Sequence, residues 1–499
     1  MRSASNPGRM ARGAVTALSG VAVRFAVQLV GMVTIARLLG PEQYGAAAIV
    51  LLASALSELL RTTGIATVVI QRAHAGPRRL SLLSGAALIQ GAIAAAIAGG
   101  CGFLLSTTLP IPPPGPLLIA ATFLASSIPT VPMALMTRRL HLGRVMTLEV
   151  ASTAAGTAGA IAIAVTGGGS LALFAQPLIG ALVLAVLSSV AAPIRPRFTR
   201  HLHRVLGDLG FAANVLTVQL LNTVTRNADK TLVSLAFGPT AAGLFTQASQ
   251  LLTIPLDQVG GALQRVALPA MSRAARIPGE LLHAYRSTVL ASTAILWPLF
   301  GALGVLAPAL IEFLFGASWA GSVPLFRALL LAGCAQSIGY VTVWLFIATG
   351  RVRAQTLWTV FSRPIVLASF LLGIPWGPTG MAWAFSICST LATLPALLIA
   401  TRDTGIRLRD LFQPLLWPAL STALAVAGAS SALALSDGRT DAPAGVLALG
   451  ALGTVIGFLC PLLLPRRRRL AREFLRTLIR RQKPAPPRFT APECSPEVP

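Results

Sequence analysis

Apolar stretches long enough to cross a bilayer recur along the whole chain, and the turns joining them are alternately basic and uncharged. Arginines crowd the turns at Arg72, Arg78 and Arg79, at Arg138, Arg139 and Arg144, and at Arg195, Arg197, Arg200 and Arg204. They recur at Arg273, Arg276 and Arg286, at Arg351 and Arg353, and at Arg402, Arg407 and Arg409. Both ends are basic too, with Arg2, Arg9 and Arg12 at one and Arg466 to Arg469 at the other. The intervening turns, near residues 107–115, 166–170, 237–241, 316–322 and 374–378, hold no Lys or Arg. Short basic loops stay on the cytoplasmic side of a membrane. A spanning helix needs about 20 apolar residues. The pattern therefore predicts an all-α polytopic membrane protein of about 14 transmembrane helices, with both termini cytoplasmic in a bacterial inner membrane.

Composition agrees. Of 499 residues, 55% are hydrophobic and only 11% are charged, with a mean hydropathy of +0.75. A water-soluble surface of this size would need far more charge. The net charge of +25 sits mainly in short loops and the tail, where it suits an anionic inner leaflet, so nucleic acid is not an expected partner. Cys101, Cys334, Cys388 and Cys460 lie within apolar runs and Cys494 in the polar tail, with no metal or redox spacing. They read as small fillers or a free thiol, and no metal or cofactor is expected. The first run, 13–38, is too long for a signal-peptide core and is expected to remain as a span.

Hydropathy places spans near 13–38, 45–70, 81–106, 115–137, 146–166, 170–192, 207–236, 242–269, 287–315, 323–349, 354–374, 378–400, 413–434 and 443–464. Two echoes suggest duplication. Gly40-Pro41 followed by Gly45 recurs as Gly238-Pro239 followed by Gly243, at an offset of 198 residues. Gly143-Arg144-Val145 recurs as Gly350-Arg351-Val352, at 207. The expected division is a six-helix lobe at 1–200, a second at 201–402 in the same orientation, two further helices at 403–465, and a basic cytoplasmic tail at 466–499. In the tail, Leu470, Phe474, Leu475, Leu478 and Ile479 share one helical face, as an interfacial helix would arrange them; a simple stop-transfer charge cluster explains the same residues.

Ionisable groups at hydrocarbon depth are costly and ask for a reason. Arg24 stands mid-helix with Gln28 one turn on, and its own helix offers no acidic partner. Gln219, Asn222, Arg226, Asp229 and Lys230 form one stripe in the seventh helix, and the 198-residue offset sets Asn222 level with Arg24. Arg61 and Arg363 are further candidates. Glu58 is placed to neutralise Arg61, and Asp229 to pair with Arg226 or Lys230. Arg265 and Arg327 are near enough to helix ends to snorkel. Asp257, Glu312 and Glu149 stand isolated, each a potential proton or sodium site. Two cationic faces across a pseudo-dyad would line a central cleft, and guanidinium groups match phosphate oxygens in geometry and charge. The expected ligand-binding set is Arg24, Gln28, Arg61, Asn222, Arg226, Asp229, Lys230 and Arg363, for an anionic ligand such as a diphosphate headgroup.

The stretch from Arg24 through LVGMVTIARLLGPEQYGAAAIV resembles the opening of Wzx-type polysaccharide flippases, in the multidrug/oligosaccharidyl-lipid/polysaccharide flippase superfamily. The segment NTVTRNADKTLVSLAFGPTAAGLFTQASQLLTIPLDQVGGALQRVALPAMSR resembles that family's seventh and eighth helices, with Asn227, Asp229, Lys230, Gly238, Gly243 and Pro269 at its recurring positions. One departure is that Leu244 and Phe245, rather than Tyr, follow Gly243, which leaves the subfamily open. The resemblance implies a V-shaped pair of lobes, similar to multidrug exporters, working by alternating access. It implies a lipid-linked oligosaccharide as substrate, within membrane lipids and beside other polysaccharide-assembly proteins, in the making of surface polysaccharide or lipopolysaccharide. Flipping of a peptidoglycan lipid precursor and cation-coupled drug export remain alternatives on the same fold. No paired carboxylates, nucleotide-binding glycine loop or nucleophile motif suggests an enzyme.

Overall fold

The computed structural model describes residues 7–459, apart from 47, 63, 72–75, 108–111, 140, 195, 197–205, 278, 403, 405–407 and 437–442. Among the described residues it is all-helical, with no strand. The helices are α1 (Pro7–Ala46), α2 (Ala48–Thr62), α3 (Ile65–Gln71), α4 (Pro77–Leu105), α5 (Gly115–Ser127), α6 (Thr130–Arg138), α7 (Leu142–Val165) and α8 (Leu171–Ala191). Then come α9 (Leu206–Ala274), α10 (Glu280–Phe315), α11 (Ser322–Ala348), α12 (Val352–Gly373), α13 (Gly377–Thr401), α14 (Leu408–Phe412), α15 (Leu416–Ser436) and α16 (Pro443–Leu459). Ten stretches among the described residues are long and apolar enough to span a membrane, and one of them, Arg353–Thr401, runs through both α12 and α13. Phe103, Leu117, Val190, Leu357 and Phe361 are each more than two-thirds exposed. Apolar side chains so exposed on long apolar helices are what a hydrocarbon solvent accepts and water does not.

Spans expected as single helices are often broken. The second divides between α2 and α3 at Gly64, whose φ is 65°, and the fourth divides between α5 and α6 around Ile128 and Pro129. Conversely, the seventh and eighth run together as α9, which passes through Gly238 at φ 80° and ψ −179°. Gly40 bends α1 in the same way, at φ 71° and ψ 174°. A side chain there would be strained, so glycine supplies the bend, and the proline after it restarts the helix without needing the missing N–H. Five residues into each restarted segment the two bends meet. A β-carbon on Gly45 would collide with the Pro239 carbonyl, and one on Gly243 with the Pro41 carbonyl. The first sequence echo is thus a reciprocal backbone contact. The second echo is not conformationally matched: Gly350 turns at φ 73° before α12, whereas Gly143 lies inside the first turn of α7. The turns themselves match three residues out of step, with His141 N donating to Met136 O and Arg351 N to Phe346 O.

Packing differs between the two ends of the bundle. At the end bearing the uncharged turns, one apolar core draws on both halves of the chain, including Ile35, Leu39, Phe123, Phe174, Phe245, Phe300, Phe315, Trp319 and Phe326. The Trp319 indole donates to the Ala36 carbonyl at 3.1 Å and meets Tyr44 edge-on, ring centroids 5.7 Å apart. Arg37 donates to the carbonyls of Leu314 and Phe313 at the end of α10, filling acceptors that the helix leaves unused. At the end bearing the basic turns the cores are separate. Ile65, Val69, Leu83 and Val131 form one from the first half, and Met271, Tyr285, Trp344 and Leu345 form another from the second. The final pair of helices packs on the second half: α15 and α16 lie against α10, and Gly428 and Gly453 let their two backbones touch. The basic tail from residue 466, with its amphipathic face, lies outside the described residues.

Candidate functional site

Where α1, α2, α7 and α8 converge they leave a cavity of about 270 Å³. Its walls carry Arg24 and Gln28 from α1, Ser54, Ser57, Glu58 and Arg61 from α2, Ser152 and Thr153 from α7, and Gln176 from α8. Small residues make room for it. The Ser152 hydroxyl reaches the Gly180 carbonyl across α7 and α8 at 2.8 Å, and Gly31 lets α1 approach Thr157. Three expected site residues, Arg24, Gln28 and Arg61, therefore share one chamber.

The charges in it form a chain. Arg24 donates from Nη1 to Glu149 Oε2 at 2.7 Å. The other carboxylate oxygen, Oε1, takes a contact from Arg61 Nη2 at 3.2 Å. Arg61 also donates to its own helix's Glu58, from Nε at 3.0 Å and from Nη2 at 2.5 Å. One carboxylate on α7 thus bridges guanidinium groups on α1 and α2. The Arg61 side chain is 6% exposed and Glu149 13%, against 31% for Arg24 and 47% for Glu58. Charges this far from water persist where each has a partner. Arg24 has no acid on α1 ahead of the Gly40 bend but finds one on α7, so Glu149 is not isolated. Two guanidiniums face two carboxylates here, so this chamber is charge-balanced where a positive excess was expected. Asp257 is not isolated either, since it accepts from the Tyr340 hydroxyl at 2.7 Å.

Sequence reasoning named Glu149 but left it isolated and missed its pairing with Arg24 and Arg61. Depth would have found it. At 1.5 Å per residue, Arg24 measured from Gly40 and Arg61 from Gly45 lie about 24 Å along their helices, and Glu149 from Gly167 about 27 Å. Similar depth with opposite charge was the available signal.

The expected second-half contribution falls elsewhere. Asp229 and Lys230 are half-buried on α9, where the Asp229 carboxylate accepts from the Lys230 backbone N–H at 2.9 Å and Lys230 Nζ donates to Asn227 at 3.3 Å. Neither lines the chamber, nor does Arg363, which is exposed on α12. The side chains of Asn222 and Arg226 lie outside the described residues. Among the described residues the chamber belongs to the first half alone. They hold no cluster of His, Cys, Asp and Glu suited to a metal.

The structure is thus a polytopic helical bundle enclosing a paired-charge chamber, and comparison with known proteins gives its family. Residues 34–324 match a family described as polysaccharide biosynthesis protein, and the chain belongs to that family. It is 26% identical over 332 residues to the succinoglycan biosynthesis transport protein ExoT of Rhizobium meliloti (strain 1021), covering 64% of this chain and 66% of that one. It is 22% identical over 375 residues to the lipopolysaccharide biosynthesis protein WzxC of Escherichia coli (strain K12), covering 73% and 75%. The chain spans just under two-thirds of ExoT and about half of TuaB, the teichuronic acid biosynthesis protein of Bacillus subtilis (strain 168). The fold is similar to the lipid II flippase MurJ in an inward closed conformation, with a TM-score of 0.67 at 14% identity, over 90% of this chain and 98% of that one. It is also similar to an inward-facing multidrug resistance transporter of the MATE family, at 0.60 and 14%, over 78% and 98%.

Proposed function

We propose that this chain flips a polyprenyl-diphosphate-linked oligosaccharide across a bacterial cytoplasmic membrane, supplying surface polysaccharide synthesis. The observation that carries the reading is the pair of guanidiniums, Arg24 and Arg61, held at one chamber inside a bundle of the polysaccharide biosynthesis family. Guanidinium offers paired N–H donors to phosphate oxygens and stays charged away from water. At about 270 Å³ the chamber sits at the small end of ligand sites. It suits a diphosphate, leaving sugars in the wider opening and the lipid tail in the bilayer. Gln28, Gln176, Ser57 and Ser152 add neutral donors for phosphate or the first sugar. Asn222, Arg226, Asp229, Lys230 and Arg363 would meet the headgroup later in the cycle, from the second half.

The two halves, 1–200 and 201–402, act as six-helix lobes whose rocking opens and closes the seam at Gly45 and Gly243, with 403–465 as two added helices. The joint core at the uncharged end and separate cores at the basic end support a form opening toward the cytoplasm, where both termini and the basic tail lie. Alternating access then needs the shared core to part and the basic ends to close. No catalysis is required, because flipping makes and breaks no covalent bond. A peptidoglycan lipid precursor carries the same diphosphate, and the likeness to MurJ favours it as the second reading.

The test is complementation of a strain lacking the gene. Arg24→Ala is expected to restore no surface polysaccharide while inserting normally, with lipid-linked oligosaccharide accumulating in the inner leaflet. Normal polysaccharide from this variant overturns the site.

A further inference from the structure

We propose that Glu149 is a resident counter-ion which a diphosphate must displace, so that loading occurs by exchange of one anion for another. The inference deepens the flippase reading and rests on it. Glu149 contributes two oxygens on one centre, one to each of two guanidiniums from different helices. Each phosphate of the linking diphosphate, with two non-bridging oxygens on one phosphorus, presents the same arrangement. Glu58 is different: it sits one turn from Arg61 on the same helix and can remain there whatever the ligand does. Among the described residues, the hydrogen bond from Arg24 to Glu149 ties α1 to α7.

The exchange breaks no covalent bond. The contacts Arg24–Glu149 and Arg61–Glu149 give way to N–H···O–P contacts, and Glu149 keeps its charge and swings off along α7. Two properties follow. A carrier must return empty after each delivery, and bare guanidiniums at hydrocarbon depth would oppose that return. With Glu149 in place the empty site stays charge-compensated, so both legs of the cycle carry paired arginines. The resident carboxylate also raises the threshold for entry, so that a singly bridging anion loses to it while a diphosphate, with more oxygens and more charge, wins.

The experiment uses the full chain in lipid nanodiscs, with farnesyl diphosphate and farnesyl monophosphate as probes and binding read by titration. Glu149→Gln keeps the shape and removes the charge. It is expected to bind the diphosphate roughly tenfold tighter and to lose much of the preference for diphosphate over monophosphate. In cells the same variant is expected to lower surface polysaccharide, because the empty site returns slowly. Glu149→Asp, whose shorter arm reaches one guanidinium instead of two, should fall between, and it serves if the Gln variant fails to fold. Binding in the variants that is unchanged or weaker than in the parent overturns the counter-ion role and leaves the flippase reading intact. Absence of saturable diphosphate binding in the parent itself overturns the flippase reading, and the counter-ion role with it.

Discussion

Aligned on their glycine bends, the two halves of the chain share a backbone device and differ in charge. At that 198-residue offset Arg24 stands opposite Asn222, Glu58 opposite Leu256 and Arg61 opposite Val259. Aligned on the matched turns at His141 and Arg351, Glu149 stands opposite Thr359. Leu256 is 1% exposed and belongs to the joint core, so where the first half keeps a charge the second half fills space. Gly40 and Gly238 nevertheless bend alike, and Gly45 and Gly243 touch. The comparison teaches that the bend and the ligand chemistry are separable. A repeated scaffold needs matching backbone geometry where its copies meet, whereas a ligand site needs its polar groups in one place only.

The largest effect is expected where the halves are alike. Gly45→Leu drives a branched side chain into the Pro239 backbone, which cannot move aside, and should abolish monodisperse protein in detergent. Gly243→Leu should do the same, and a benign outcome in one half alone would break the equivalence. Next comes the unlike part. Arg61→Ala leaves Glu58 and Glu149 without their buried partner and should cost about 3 kcal/mol of stability. Arg24→Ala, at a more exposed guanidinium, should cost no more than about 1 kcal/mol. Thermal unfolding of the two variants sharpens the contrast, and equal losses would contradict the burial order. Smallest should be Asp257→Asn, since the second-half acid bonds to Tyr340 and not to a guanidinium in the chamber. Surface polysaccharide from this variant is expected within about twofold of the parent, and a loss as large as that from Arg24→Ala would bring Asp257 into the transport path.

Much of the helical layout was legible because hydropathy and loop charge report on the solvent each segment meets. The breaks at Gly64 and Pro129 were less so, since an apolar run reads the same whether or not its helix is interrupted. Pairing across helices was the hardest to read. Arg24 and Arg61 announce themselves as charges within apolar runs, but their joint partner lies in α7, far along the chain. Glu58 was legible as a local partner of Arg61, and the rest of the chamber's charge balance follows from the contact with Glu149. The repeat was legible at Gly40-Pro41 and Gly238-Pro239, where a backbone angle demands glycine. It misled at Gly143 and Gly350, where the matched letters sit three residues away from the matched turn.

The contact between Gly45 and Gly243 brings main chain against main chain, with no knobs seated in holes. Parting such a seam uncouples no interlocked rotamers, and re-forming it requires no search among them. A joint built this way can be both tight when shut and quick to reopen, a pairing of properties that bulkier residues at those two positions would forfeit.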